Sequence, residues 1–296
     1  MTTDTVTATK VSTATAPRSR ARTPLGSIIR HTLMIAAGVI MIYPLLWLLV
    51  SSLRPADEIF RDPGLLLTGL DFSNYTQGWN ALGRPFSSYI VNSGILVLGG
   101  ILGNLFSCTL TAYAFARLEF RGKKWMFAAV LVTIMIPIHV IIVPQYIFFS
   151  QLHLVNTFVP LLLPKFLATD SFYIFLMVQF IRAIPRELDE AARIDGAGHV
   201  RILLQVILPL MAPALAATAI FTFIGSWNDF FSALIYLTSP DVQTVPIALR
   251  SFIDTSGTSS FGPMFAMSIV SLVPVFLVFL FGQRYLVKGI ATTGLK

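Results

Sequence analysis

Long runs without a charged side chain constrain this chain more than any other feature of its sequence. No Asp, Glu, Lys or Arg occurs between His31 and Arg54, and the run 125–164 has none over 40 residues. About 20 apolar residues in a helix are enough to cross the roughly 30 Å hydrocarbon core of a bilayer. Charged residues make up 12% of the chain, against roughly 25% in ordinary soluble domains. The sequence therefore predicts an all-α integral membrane protein.

The uncharged runs divide into six predicted spans. The run 125–164 is too long for one helix, and the polar segment 151–156 is its natural break. Pro137 and Pro144 lie in the first half of that run and predict a bent helix there. The predicted spans are residues 32–53, 85–116, 125–149, 158–181, 206–234 and 263–281.

These spans predict a simple domain organisation. Residues 1–24 are rich in Thr, Ala and Ser with scattered Lys and Arg, and are expected to form a disordered cytoplasmic tail. A transit peptide is the alternative for this segment, although it shows no amphipathic helical spacing. Residues 25–296 are expected to form one six-span transmembrane domain. Its main cytoplasmic feature is the charged loop 182–205, and a polar loop, 237–262, lies on the opposite side.

The placement of the positive residues predicts the orientation of the spans. Of the 21 Lys and Arg, 16 lie before the first span, in the loops 117–124 and 182–205, or after the last span. Only four flank the other ends of the spans. Because positive residues are retained on the cytoplasmic side, both termini are expected to be cytoplasmic. The net charge of +7 is thus explained by topology, and no nucleic-acid partner is expected.

The loop 182–205 carries the signals of a short helix followed by a glycine corner. Pro185 is suited to the start of a helix, where its missing N–H would have had no partner. Acidic residues follow at once, and they suit the positive end of the helix dipole. Gly196 and Gly198 are both expected to end this helix in the left-handed conformation. A second helix should then enter the membrane.

This loop resembles the cytoplasmic EAA loop of ABC importer permeases. The pattern of that loop is Glu-Ala-Ala, a glycine four residues after the second alanine, and then Ile-x-Leu-Pro. Val206 stands where the pattern has Ile, which is a conservative departure. The stretches 185–197, 227–230 and 283–290 are similar to carbohydrate importers of the maltose type, and in particular to the smaller second permease subunit. The matching loop residues are Glu190, Ala191, Ala192, Gly196, Leu208 and Pro209.

The resemblance implies a type I ABC importer permease fold and a role in sugar import across a bacterial or archaeal cell membrane. It implies a homologous permease as heterodimer partner, two copies of an ABC ATPase, and an extracytoplasmic sugar-binding protein that the loop 237–262 would touch. ATP and Mg would be bound by the ATPase, so no cofactor is expected on this chain. The residues that the resemblance assigns to ATPase coupling are Glu190, Ala191, Ala192, Asp195, Gly196, Leu208 and Pro209.

Motifs for catalysis are missing from the sequence. It contains no Gly-x-x-x-x-Gly-Lys-Ser/Thr phosphate loop and no Gly-x-Ser-x-Gly nucleophile elbow. Its one cysteine, Cys108, excludes an intrachain disulfide and a cysteine-based metal site. The four histidines show no metal-ligand spacing. We therefore expect neither an enzyme nor a metal site.

Polar and ionisable residues inside the predicted spans are the candidates for a substrate path, because such groups are costly in a bilayer. Lys165 and Asp170, five residues apart on one expected helix, would lie on different faces and should not pair directly. As a purely structural alternative, Lys165 reaches the outer interface and Asp170 bonds another helix. Neutral hydrogen-bonding groups beside aromatic rings suit a sugar, but polar contacts between helices explain them equally well. The candidates are Gln145, Tyr146, Lys165, Asp170 and Asn228, with Asp229 a weaker one.

A row of small residues in the second span predicts a packing face. Such residues four apart in a membrane helix allow a neighbouring helix to approach closely. The row consists of Gly99, Gly103, Ser107 and Thr111.

Two alternatives to sugar import remain open at the level of sequence. An importer of amino acids or anions is the first, and an anion site would call for converging Arg side chains or helix N-termini at mid-membrane. The second is a polytopic membrane enzyme or a scaffold without transport activity, against which the missing catalytic motifs count.

Overall fold

A computed structural model describes residues 24–55, 57–61, 64–66, 69–253 and 260–293 of the chain. The predicted tail lies outside these residues except for its last position. The structure falls into two units, residues 1–47 and 48–296. The first contains most of one long helix, and the second contains every other helix.

The described residues form helices, a π-helical turn and connecting segments, with no strand among them. The turn of π-helix, Leu203–Ile207, joins two short helices. The helices are α1 Pro24–Ser52, α2 Ser73–Asn80, α3 Phe86–Arg117, α4 Lys123–Thr133, α5 Ile138–Gln151, α6 Val159–Phe166, α7 Ser171–Ala183, α8 Glu187–Ile194, α9 His199–Ile202, α10 Leu208–Leu210, α11 Ala212–Trp227, α12 Phe231–Tyr236, α13 Val245–Ser251 and α14 Phe261–Thr293.

The membrane-spanning helices follow the predicted order. Four stretches are long and apolar enough to cross a membrane: Gly26–Ser52, Phe86–Arg117, Val159–Ala183 and Phe261–Arg284. Two bent pairs complete the set, α4 with α5 at 101° and the segment His199–Leu210 with α11 at 76°. If each bent pair is counted as one crossing, the described residues contain six spans, as predicted.

Proline explains both bends. Pro137 is the residue before α5, where its missing N–H and its restriction of the preceding residue interrupt a continuous helix. Pro144, by contrast, lies inside α5, so the sharp break occurs at only one of the two prolines named from the sequence. Pro213 lies in the first turn of α11, so it has no N–H to donate to the carbonyl of Pro209, and the chain bends at Met211 between α10 and α11.

The predicted fifth span, 206–234, differs most from the structure. Its first residues belong to the segment before the 76° bend, and the straight helix α11 begins only at Ala212. The helix also stops at Trp227, and residues 228–230 separate it from α12. Apolar composition continues through both breaks, so hydropathy alone placed the ends of this span too far out.

Helix α3 is central to the packing of the second unit. One cluster of buried side chains includes Cys108 and Ala116, a second includes Phe86 and Val97, and a third includes Leu96. All of these residues belong to α3. The helix therefore contributes to each of the three apolar cores along its length.

The row of small residues on α3 is a packing face, as predicted. A Cβ atom added at Gly99 would lie 2.8 Å from Cδ2 of Leu162, and one at Gly103 would lie 3.0 Å from Cβ of Lys165. Ser107 donates a hydrogen bond from Oγ to the carbonyl oxygen of Lys165 at 2.6 Å. The small side chains thus bring α6 and the segment after it directly against α3.

Candidate functional site

A cavity of about 710 Å³ opens among the helices packed around α3. Its walls come from α3 to α7, α11 and α12. Apolar side chains such as Leu96 and Ile142 alternate with hydroxyl, amide and charged groups. Its polar lining residues include Asn104, Gln145, Lys165, Asp170, Tyr173, Thr222, Ser226 and Asp229.

An ion pair between Lys165 and Asp170 lies in the wall of this cavity. Nζ of Lys165 is 2.8 Å from Oδ2 of Asp170, which corrects the expectation that the two cannot pair. That expectation assumed one continuous helix, whereas α6 ends at Phe166 and α7 begins at Ser171. Ala168, in the break, has φ +55°, a left-handed conformation that is uncommon outside glycine. The turn brings the two side chains together.

The ion pair is tied to α3 and α11 by an amide. Asn104, which is fully buried, donates from Nδ2 to Oδ2 of Asp170 at 2.7 Å and to Oγ1 of Thr222 at 3.1 Å. Asp170 therefore does bond another helix, as the structural alternative held, while Lys165 bonds Asp170 instead of reaching for the outer interface. The side chains of Lys165 and Asp170 remain 30% and 24% exposed, so both are open to the cavity.

The other sequence candidates for the substrate path occupy different positions. Gln145 lines the cavity. Tyr146 does not line it but stacks at an angle on Tyr236, with ring centroids 5.9 Å apart, and Tyr236 does line it. Asn228 donates from Nδ2 to the carbonyl oxygen of Ile224 at 2.9 Å, so its amide bonds the end of α11, the helix that it follows. Asp229 lines the cavity, and its Oδ1 accepts the N–H of Ser232 at the start of α12 at 3.0 Å.

The charged loop forms the short helix and the glycine corner that its sequence predicts. Helix α8 carries acidic residues in its first turn, and Gly196 has φ +79°. The N–H of Ala197 bonds the carbonyl of Ala192 at 2.9 Å, and the N–H of Gly196 bonds that of Arg193 at 3.0 Å. These two bonds are the pair that closes a Schellman helix end. Gly198 has φ −77°, so only the first glycine is left-handed.

The residues matched to the EAA pattern are mostly accessible. Glu190, Ala191, Asp195, Gly196 and Pro209 are exposed, and Ala192 and Leu208 are half-buried. A helix that presents two alanines and a carboxylate has a slim surface that a groove in another protein can approach closely.

A buried ion pair at the base of α8 was missed by the sequence reading. Nε of Arg117, the last residue of α3, is 2.7 Å from Oδ2 of Asp189, and the two side chains are only 3% and 6% exposed. Nη2 of Arg117 also donates to the carbonyl oxygen of Ile184 at 2.8 Å. The sequence explained Arg117 as a topology cation and Asp189 as a helix-dipole partner. No spacing rule connects residues so far apart in the chain.

A second contact joins α3 to the segment beyond the glycine corner. The hydroxyl of Tyr113 lies 3.4 Å from Nδ1 of His199 in α9, and the two rings are 6.5 Å apart between centroids. Tyr113 and Arg117 are one helical turn apart, so they lie on the same face of α3. That face contacts the charged loop on both sides of Gly196.

Comparison with known families decides what kind of protein this is. The family described as "Binding-protein-dependent transport system inner membrane component" matches residues 95–292, which is more than half of the chain. The chain belongs to this family. It is thus a multi-pass inner-membrane component of a transport system, in line with the resemblance noted from the sequence.

Relatives of this inner-membrane component cover nearly its whole length. It is 33% identical to an arabinooligosaccharides transport system permease protein of Halalkalibacterium halodurans, over 87% of this chain and 92% of the relative. It is 32% identical to a diacetylchitobiose uptake system permease protein of Streptomyces coelicolor, over 89% of this chain and 87% of the relative. Both relatives are named as permeases. The charged loop lies within residues 95–292, which the family model matches.

A solved structure shares the fold. The crystal structure of a bacterial ABC transporter involved in the import of the acidic polysaccharide alginate matches with a TM-score of 0.78. The match covers 92% of this chain and 100% of that one, at 23% identity. The architecture is therefore that of an ABC importer permease.

Proposed function

We propose that this chain is one permease subunit of an ATP-driven importer for neutral sugars. It would form the translocation path with a homologous permease, receive sugar from an extracytoplasmic binding protein, and couple to two copies of a separate ATPase. Membership of the binding-protein-dependent family supports the overall role. The observation that carries the choice of sugar is the near full-length similarity to permeases named for arabinooligosaccharides and diacetylchitobiose.

The chemistry of the cavity supports an uncharged, hydroxyl-rich substrate. Amide, hydroxyl and aromatic groups stand beside apolar walls, a mixture that suits the polar edge and apolar face of a sugar ring. The ammonium of Lys165 is already neutralised by Asp170, and Asp229 adds a further carboxylate. Among the described residues that line the cavity there is no Arg, so this wall offers little to an anion. Gln145, Lys165 and Asp170 are the side chains that we assign to the path.

The exposed face of α8 supports a docking role toward the ATPase. Ala191 presents only a methyl group, so a groove on the ATPase could approach the helix closely, while Glu190 offers a carboxylate to a basic residue there. ATP and Mg would be held by that partner. Gly196, in its left-handed conformation, would set the angle at which α8 leaves the following helix.

The substitution Glu190→Lys tests this assignment. It turns an attractive contact into a like-charge contact, which costs several kcal/mol at an interface, and it touches no span. We expect the ATPase to copurify at a much reduced level while membrane abundance is unchanged. Arg121→Glu, at an exposed position outside α8, is the control for a change of charge in a cytoplasmic loop. Full copurification and full sugar-stimulated hydrolysis in Glu190→Lys would remove α8 from the docking interface.

A substrate panel tests the class of solute. Uptake by membranes that contain the whole transporter should be competed by neutral oligosaccharides. It should not be competed by uronic-acid oligosaccharides or glycerol phosphate. Competition by the anions alone would favour an importer for charged solutes.

A further inference from the structure

Asp189 is the exception among the residues of α8. Most side chains of this helix are exposed, including Leu188 and Ile194, yet Asp189 is only 4% exposed. A carboxylate is not buried in a helix of this kind without a partner, because removal from water costs free energy unless a charge and hydrogen bonds compensate for it. The partner is Arg117, at 2.7 Å.

The guanidinium of Arg117 holds two points of the docking segment at once. Nε faces Asp189 inside α8, and Nη2 bonds the carbonyl of Ile184 just before Pro185. Arginine is suited to such a contact because its charge pairs with the carboxylate while its planar fork directs another N–H to the carbonyl. Nε of Arg117 and Oδ1 of Asp189 make no hydrogen bond within the described part of the chain, so charge alone joins these two side chains. The entry to α8 and its first turn are therefore fixed to the last residue of α3.

The far side of the glycine corner is held by the same face of α3. Tyr113 contacts His199 in α9, three residues beyond Gly196. A hinge at Gly196 alone would let α8 swing relative to α9. Because α8 contacts α3 through Asp189 and α9 contacts α3 through His199, such a swing would have to break one of these two contacts or move α3.

We infer that Arg117, supported by Tyr113, makes α3 the element that transmits motion of the docking helix to the cavity. Thirteen residues before Arg117, about 20 Å along the helix, Asn104 bonds Asp170. Ser107 bonds the backbone of Lys165. The docking helix and the ion pair in the cavity wall are thus both attached to one continuous helix. Arg117 acts as a positioning residue. The inference depends on the proposed role of α8 as the ATPase docking element.

A charge-free double variant separates transmission from folding. Removing one partner would leave a buried charge unpaired, whereas Arg117→Met with Asp189→Leu leaves neither charge and keeps apolar bulk. The full transporter, with its ATPase, partner permease and binding protein, is reconstituted in proteoliposomes. Four quantities are measured: membrane abundance, ATPase copurification, basal hydrolysis, and the stimulation of hydrolysis by sugar-loaded binding protein.

The expected result is a selective loss of stimulation. Abundance, copurification and basal hydrolysis should stay near the wild-type level, because docking surface and spans are retained. Stimulation should fall by about fivefold or more, the size of a typical coupling between sites. The matched control is Glu119→Leu with Lys123→Met. This removes an ion pair of 3.0 Å just beyond α3 whose hydrogen bonds stay within residues 118–123, and it should leave stimulation unchanged.

Full stimulation in the Arg117 and Asp189 double variant would overturn the inference. If that variant does not accumulate, Arg117→Lys decides the question. This variant keeps a positive charge near Asp189 but loses the fork that also reaches Ile184. It should accumulate and show reduced stimulation, and wild-type stimulation in it would equally overturn the inference. A wild-type transporter that fails to copurify with any ATPase would instead refute the proposed function.

Discussion

The ion pair in the cavity wall permits a quantitative prediction. The variants are Lys165→Met, Asp170→Asn and the double variant. In Asp170→Asn the amide oxygen still accepts from Asn104, but Lys165 loses its counter-ion. In Lys165→Met the carboxylate keeps only the bond from Asn104, which is 2.7 Å long. Each single variant therefore leaves one charge in the membrane domain without its main partner.

The size of the effect follows from burial. Breaking a fully buried pair costs about 3–5 kcal/mol, but the two side chains are 30% and 24% exposed to the cavity. A smaller loss of about 1–3 kcal/mol per single variant is therefore expected. At roughly 2–4 °C per kcal/mol for domains of this size, each single variant should lower the melting temperature by about 2–12 °C. The double variant removes both charges together and should lose less than the sum of the singles.

Thermal unfolding of the purified transporter in detergent, followed by intrinsic fluorescence, measures this double-mutant cycle. Residues in contact show interaction free energies of about 0.5–3 kcal/mol, whereas independent sites add within about 0.3–0.5 kcal/mol. Additive losses would refute the view that Lys165 and Asp170 stabilise each other. The double variant should lose less stability than the sum of the single variants. A change in its apparent affinity for sugar would therefore report on contact of these two side chains with the substrate.

Three further predictions concern packing, the docking corner and topology. Gly103→Val should reduce membrane abundance, because its Cβ would lie 3.0 Å from Phe166 and Lys165. Gly94→Val on the same helix, where a Cβ meets open space, should be tolerated. Gly196→Val should impair transport with normal abundance, since φ +79° strains a β-branched residue. Gly198→Val, at φ −77°, should be nearly neutral, and equal transport by both would contradict this reasoning. An impermeant thiol reagent added outside intact cells should label Thr76→Cys. It should not label the wild-type chain, whose one cysteine is buried. Labelling only from the cytoplasmic side would show that the topology is the reverse of the predicted one.

The sequence predicted those parts of the fold that depend on local composition. Hydropathy located the spans because a helix in lipid must be apolar over a fixed length, and Gly196 was readable because few other residues adopt its conformation. The pairing of Lys165 with Asp170 was missed because it depends on a break in the helix at Ala168. The prediction of one helix over 158–181 overlooked the polar residues Thr169, Asp170 and Ser171, which are typical of the start of a new helix. The contact of Arg117 with Asp189 joins the end of α3 to α8, two helices that only tertiary packing brings together, so neither residue carries a local signal.

The central position of α3 also sets a timing problem for biosynthesis. The bonding partners of Asn104 are Asp170 and Thr222, which are 66 and 118 residues later in the chain. At a synthesis rate of about 5–20 residues per second, the first partner is made roughly 3–13 seconds after Asn104 and the second roughly 6–24 seconds after it. Until α6 is made, the small-residue face of α3 lacks the helix that packs against it, and until Asp170 is made, the amide of Asn104 has neither of these two partners. Nascent chains stalled before Asp170 should therefore stay associated with the insertion machinery or be degraded, whereas chains that extend past α11 should be released into the bilayer.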